Sequence, residues 1–134
     1  MLDTNFILSL FIQRQYTDRA KELLNKFIAN KNRIFVPQQA IAETVYVLEN
    51  IHKADSSIGK LSKREIKEML ESLIDTPKIK IEKEIPTREA LDLYHQLNIS
   101  FGDCLIYTTA KQNHISSIAT FDADFDRLDI EIVH

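Results

Sequence analysis

The stretch Ser100-Phe101-Gly102-Asp103-Cys104-Leu105-Ile106-Tyr107-Thr108-Thr109-Ala110, continuing to Asn113, reads as a helix, and residues 115–120, Ile-Ser-Ser-Ile-Ala-Thr, follow it as a short strand that runs into Phe121-Asp122. The same alternation recurs toward the N-terminus. Ala20, Leu23, Leu24, Phe27 and Ile28 fall at helical spacing, with Thr17 or Asp18 placed to cap their helix, and Ile34-Phe35-Val36 is a strand-like run closed by Pro37. The spacing predicts helices over residues 38–50 and from Lys63 to Ile74. Ile79, Ile81 and Ile85 alternate with Lys80, Glu82 and Glu84, the period of a half-exposed strand. Pro86-Thr87-Arg88-Glu89 starts a helix to about Leu97, and residues 130–133 close the chain as a last strand. Helices alternating with short β-branched runs pack on both faces of a mostly parallel sheet. The expected fold is α/β: a three-layer α/β/α arrangement around a mostly parallel central sheet, forming a single domain over residues 1–134 without repeats or linkers.

Composition narrows the function classes. With 134 residues and 44% apolar side chains, the chain can build one core and is too short for two. Only 2 Gly and 3 Pro argue against linker-rich or turn-dense all-β proteins. The lone Cys104 excludes an internal disulfide, and no Cys/His cluster has zinc spacing. No run approaches the roughly 18 apolar residues of a membrane span. The N-terminus lacks a basic segment followed by an apolar one, so a cytoplasmic protein is expected. The net charge of −3 hides a gradient. Residues 1 to 52 carry 6 basic and 5 acidic side chains, residues 53 to 83 carry 8 and 6, and residues 84 to 134 carry 3 and 9. The acidic end is either a solvated surface or a cation site.

In an open parallel sheet, ligands bind beyond the carboxyl ends of the strands, where strand order reverses. Asp3 follows the first strand and Asp122 follows the strand over residues 115–120, so the two converge if those strands are neighbours. Thr4 and Thr120 put a hydroxyl beside each. Either acid alone also suits the ordinary role of capping the next helix. Glu43 and Thr44 interrupt a helix that is otherwise apolar nearly all round, Ala40-Ile41-Ala42-Glu43-Thr44-Val45-Tyr46-Val47-Leu48, which is the pattern of a largely buried helix. A carboxylate there needs a cation or strong donors, unless it points out through the one wet stripe. Asp103 lies in the first turn of its helix, where the helix dipole favours an acid by up to about 1 kcal/mol. Gly102 before it allows close approach of another element.

Gathered without a cation, four carboxylates would repel one another and raise their pKa values. With one, they form an all-oxygen site for Mg²⁺ or Mn²⁺ rather than zinc. His52, His95, His114 and His134 have neither metal-ligand nor triad spacing. The run Asp122-Ala123-Asp124-Phe125-Asp126 resembles the start of a calcium loop, but Arg127 and Val133 stand where that loop needs Gly and Glu.

Asp3-Thr4-Asn5, the lone Glu43, Phe101-Gly102-Asp103, and Thr120-Phe121-Asp122-Ala123-Asp124-Phe125 before a final strand, in this order and at these separations, resemble a PIN domain over essentially the whole chain. The compact size most resembles the VapC-type toxins of toxin–antitoxin pairs. The resemblance implies a Mg²⁺- or Mn²⁺-dependent endoribonuclease whose four acids match Asp3, Glu43, Asp103 and Asp122. Thr4 and Asn5 match the polar pair after the first acid, and Thr120 the hydroxyl before the fourth, while the role of Asp124 stays open. It also implies a homodimer held inactive by a cognate antitoxin whose basic side chains reach the acidic pocket. Only Met1 and Leu2 precede Asp3, against a mean strand of about 5 to 6 residues. The first strand is therefore unusually short or begins upstream of Met1.

RNA needs a basic approach to such a site, and the candidates are Lys60, Lys63, Arg64 and Lys67 on one helix with Arg14 and Arg19 near the first. The rival readings are a PIN-fold RNA-processing nuclease outside a toxin system, an inactive PIN interaction module, and a haloacid-dehalogenase-like phosphatase. The phosphatase needs a second acid where this chain has Asn5.

Overall fold

The strands of this computed structural model, which describes residues 1–12 and 15–134, are few, short and parallel. β1 (Ile34–Pro37) pairs with β2 (Ile79–Glu82), Ile34 opposite Ile79, and β3 (Ser117–Ala119) pairs with β4 (Glu131–Val133), Ser117 opposite Glu131. The N-terminal residues join the two pairs. Leu2 N donates to Phe35 O at 2.9 Å on one side, and Ala119 N donates to Met1 O at 2.7 Å on the other. Asp3 N donates to Ala119 O at 3.2 Å, and Leu2 and Ala119 form a parallel bridge. The lateral order is therefore β2, β1, residues 1–3, β3, β4. Chain direction reverses its sense of winding between residues 1–3 and β3, which is the switch point where a ligand crevice opens.

Among the described residues six α-helices cover this ribbon: α1 (Thr4–Phe11), α2 (Thr17–Ala29), α3 (Gln38–Ala54), α4 (Lys63–Ile74), α5 (Thr87–Gln96) and α6 (Phe101–Gln112). Alternate strand residues point to opposite faces and so build two cores. Leu2, Ile34, Val36 and Ala119 pack with Phe6 and Ile7 of α1, Ala20 and Leu23 of α2, and Leu73 of α4. Met1, Phe35, Ile118 and Ile132 pack on the other side with Ile106 and Ala110 of α6 and with Phe125. This gives the expected three layers. Leu8, Leu48, Ile51, Ile66 and Leu70 clamp α1, α3 and α4 together, and Ala90, Cys104 and Leu105 join α5 to α6. Among the described residues no helix is long and apolar enough to cross a membrane.

The first strand is unusually short, a one-residue bridge, because Asp3 already serves as the N-cap of α1. Several other local expectations need correction. Neither Thr17 nor Asp18 caps α2: the cap position is Tyr16, and the Thr17 hydroxyl donates to Ile12 O at 2.9 Å instead. The strand expected over residues 115–120 shrinks to Ser117–Ala119, because Ile115 N is still held by Ala110 O at the end of α6, with His114 turning at φ 54°. Ile85 lies beyond β2 and is 40% exposed. α3 runs four residues further than expected, to Ala54, and is not buried all round: Ala40, Thr44, Leu48 and Ile51 form one buried stripe while Tyr46 is 71% exposed. Arg14 lies outside the described residues.

Candidate metal centre

Asp3 sits where the N-terminal segment leaves the sheet. It is 2% exposed, and both of its oxygens have donors: Oδ1 accepts from Phe6 N at 2.7 Å, and Oδ2 accepts from the Thr120 hydroxyl. It is thus a helix cap and, through Thr120, part of the switch-point crevice. Thr120 Oγ1 also accepts from Asp122 N at 2.9 Å, and Asp122 Oδ1 accepts from Asp124 N at 2.9 Å at the start of a 3-10 turn, Ala123–Arg127. One chain of hydrogen bonds therefore runs from Asp3 through Thr120 and Asp122 to Asp124.

Asp103 enters from α6. Ser100 is the N-cap, its Oγ accepting from Asp103 N at 3.1 Å and donating to Asp103 Oδ2 at 2.6 Å, so the carboxylate is fixed against its own helix start. Oxygens of Asp103, Asp122 and Asp124 all lie within 4.8 Å of one another. That trio differs from the expected four. Asp124, left without a role in the sequence, belongs to it, and its signal was the one-residue spacing from Asp122 after the strand. Asp3 and Glu43 lie outside it, Asp3 interacting electrostatically with Asp103 and Asp122 and Glu43 with Asp103.

Glu43 lies one and a half turns into α3, half-buried. The Thr4 hydroxyl donates to its Oε2 at 2.5 Å, and Gln39, one turn earlier on the same face, donates from Nε2 to its Oε1. Strong donors thus meet the requirement that burial imposes on this carboxylate. Gly102 permits the approach of α6: a Cβ there would stand 2.5 Å from Glu43 Oε1 and 3.2 Å from Gln39 Nε2. Sequence reading missed Gln39 and Ser100, although the i−4 and N-cap positions were the signals for them. Asn5 is half-buried in α1, and its carbonyl accepts from the Ser9 hydroxyl at 2.9 Å.

The electrostatics tie these groups together. Burial pushes the Asp3 carboxyl up to about 7; the bonds from Thr120 and Phe6 oppose this, and repulsion from Asp103 and Asp122 adds to it. Asp103 is also raised, first by burial and then by Asp122, Asp124 and Glu43, with the Ser100 bond acting the other way. An all-carboxylate set of this kind can hold a hard divalent cation, which would remove the repulsion.

Residues 1–131 match the PIN domain family. The chain belongs to that family. As a PIN domain it is 25% identical over 135 residues to a VapC ribonuclease of Aquifex aeolicus (strain VF5), an alignment covering 100% of this chain and 95% of that protein. The fold also matches the crystal structure of Mycobacterium tuberculosis VapC20, a sarcin-ricin loop cleaving toxin. That match has a TM-score of 0.70 at 14% identity and covers 96% of each chain.

Proposed function

We propose that the chain is one PIN nuclease domain over residues 1–134 that hydrolyses RNA phosphodiesters internally with Mg²⁺ or Mn²⁺, acting in the cytoplasm as the toxin of a VapBC-type pair. The observation that carries this reading is the meeting of Asp103, Asp122 and Asp124 from α6 and the turn after β3, with the buried Asp3 tied to Asp122 through Thr120. Burial first, and then repulsion among these acids, raises the carboxyls of Asp3 and Asp103 in the bare protein, so ionising them there is costly. The donor set contains oxygen alone, which suits Mg²⁺ or Mn²⁺ and not zinc.

Asp103, Asp122 and Asp124 would hold the ion, with Asp3 completing the negative charge and Glu43 ligating directly or through water. When bound, such an ion neutralises charge on the phosphate oxygens and lowers the pKa of a water nucleophile. The protein's own share is orientation. Thr120 fixes Asp3 and the backbone of Asp122, Ser100 fixes Asp103, and Thr4 fixes Glu43. Substrate then approaches along basic side chains. Arg64 and Lys67 are already paired with Glu68 and Glu71, whereas Lys60 and Lys63 form no ion pair among the described residues.

Purified protein should cleave RNA with Mg²⁺ or Mn²⁺ and not in excess chelator, and Asp3→Asn or Asp103→Asn should abolish cleavage while leaving the circular dichroism spectrum unchanged. Normal cleavage by both variants would refute the assignment. The toxin role further entails a homodimer and a cognate antitoxin that carries basic side chains into the acidic pocket. Induction should then arrest growth, and co-expression of the antitoxin should relieve it.

A further inference from the structure

Gln39 belongs to none of the motifs that mark the family, yet it touches both elements flanking the carboxylates. It stands one helical turn before Glu43, so the two side chains share a face of α3. Its Nε2 donates to Glu43 Oε1 and lies 3.5 Å from Gly102 O in the first turn of α6. Both neighbours are acceptors, which forces the amino end of the amide toward them. The amide oxygen is consequently turned away, and Oε1 of Gln39 is buried without a hydrogen-bond partner. A buried orphan acceptor weakens the fold, and natural sequences keep such groups where function needs them. Leu or Met at this position would fill the same space without the orphan.

The packing makes the arrangement tight. A Cβ at Gly102 would come within 3.2 Å of Gln39 Nε2 and 2.5 Å of Glu43 Oε1, so a larger residue there would displace the ends of these two side chains. Asp103, next in sequence, is pushed upward in part by Glu43 itself, so the two carboxylates repel across this contact. Thr4 holds the far oxygen of Glu43 at 2.5 Å. Without a donor on the near oxygen, the side chain would rotate away from Asp103.

We infer that Gln39 is a positioning residue that clamps Glu43 between α3 and the start of α6, holding this carboxylate in place for the divalent cation. The inference rests on the metal-dependent reading above. Partners that orient a metal-ligating group typically contribute roughly 10- to 100-fold in affinity.

The test is Mn²⁺ titration of wild type, Gln39→Met, Gln39→His, Leu70→Ala and Asp103→Asn, followed by electron paramagnetic resonance of free Mn²⁺, with melting of each metal-free protein. Gln39→Met keeps the volume and removes both the donor and the orphan oxygen. It should bind Mn²⁺ about 10-fold more weakly, whereas Leu70→Ala, which opens a cavity in the core shared by α1, α3 and α4, should lower the melting temperature and keep wild-type affinity, a separation that a purely structural role cannot produce. Gln39→His keeps an N–H and should stay near wild type, and kcat on RNA should fall in Gln39→Met with KM unchanged. Wild-type affinity in Gln39→Met, or an equal loss of affinity in Leu70→Ala, would overturn the inference. Failure of the wild type to bind Mn²⁺ at all would instead overturn the metal-dependent reading itself.

Discussion

The Thr120 hydroxyl donates to the carboxylate of Asp3, 117 residues away in the chain, while its oxygen accepts from Asp122 N at 2.9 Å. A single small side chain at the end of β3 therefore satisfies the acid at the end of the N-terminal segment and shapes the turn that carries the next one. Replacing Thr120 with Val leaves a buried carboxylate oxygen and a backbone N–H without partners. Thr120→Val should lose about 1–3 kcal/mol in urea unfolding, whereas Thr120→Ser should lose clearly less. Equal stability of the valine variant would contradict the role assigned to this bond.

Stability of the metal-free protein should depend on pH in an unusual direction for a carboxylate. Burial raises Asp3 in the folded state to about 7 from 3.8, so the folded form holds a proton that the unfolded form releases. The stabilisation is complete below about pH 4 and is lost as pH rises toward 7, with an upper limit on the order of 4 kcal/mol. Asp103, shifted in the same direction, adds to this slope. Urea midpoints measured from pH 4 to pH 8 should fall across that window, and Asp3→Asn should flatten the curve. Saturating Mg²⁺ should flatten it as well, since a cation favours the ionised carboxylates.

Gly102→Ala should change sign with its surroundings. In an ordinary helix the exchange gains about 0.5–1 kcal/mol. Here the added methyl meets Glu43 Oε1 at 2.5 Å, and a loss of roughly 1–3 kcal/mol is expected. Combined with Glu43→Ala, which clears the obstruction, Gly102→Ala should become neutral or stabilising. A double-mutant cycle by thermal unfolding reads this coupling directly, and additive effects would show that the contact does not matter.

RNA approach should depend on which basic residues are unpaired. Lys60→Ala with Lys63→Ala should weaken RNA binding to the Asp103→Asn protein several-fold and make log Kd less steep in log salt by about 1.4, at roughly 0.7 for each lost single-strand phosphate contact. Arg64→Ala with Lys67→Ala removes side chains already engaged by Glu68 and Glu71, at 3.1 and 2.8 Å, and should do less. The reverse ranking, in fluorescence anisotropy across a salt series, would place the RNA elsewhere.

What could be read in advance follows from the range of the forces involved. α4 spans Lys63–Ile74 as its sequence foretells, because Ser62 caps it and Ile66, Leu70 and Leu73 give a clean buried stripe. The N-terminal strand was legible only through Asp3, since a one-residue bridge leaves no periodicity. For α3, an apolar helix with one carboxylate suggested burial all round, yet Tyr46 and Ala42 face outward because only one stripe meets α1, α4 and α6. The four acids could be singled out by type and order. The convergence of Asp3 and Asp122 followed from the adjacency of their strands, but the place of Asp124 could not be read, because the 3-10 turn that sets it beside Asp103 and Asp122 is fixed by hydrogen bonds between side chain and backbone with no periodic trace.

The most direct test of a shared cation site is crystallography on protein soaked in Mn²⁺, with data collected near the manganese absorption edge. An anomalous difference peak within coordinating distance of Asp103, Asp122 and Asp124, and absent in Asp103→Asn crystals, is the predicted result. Fully ordered carboxylates with no peak among them at saturating Mn²⁺ would contradict the account.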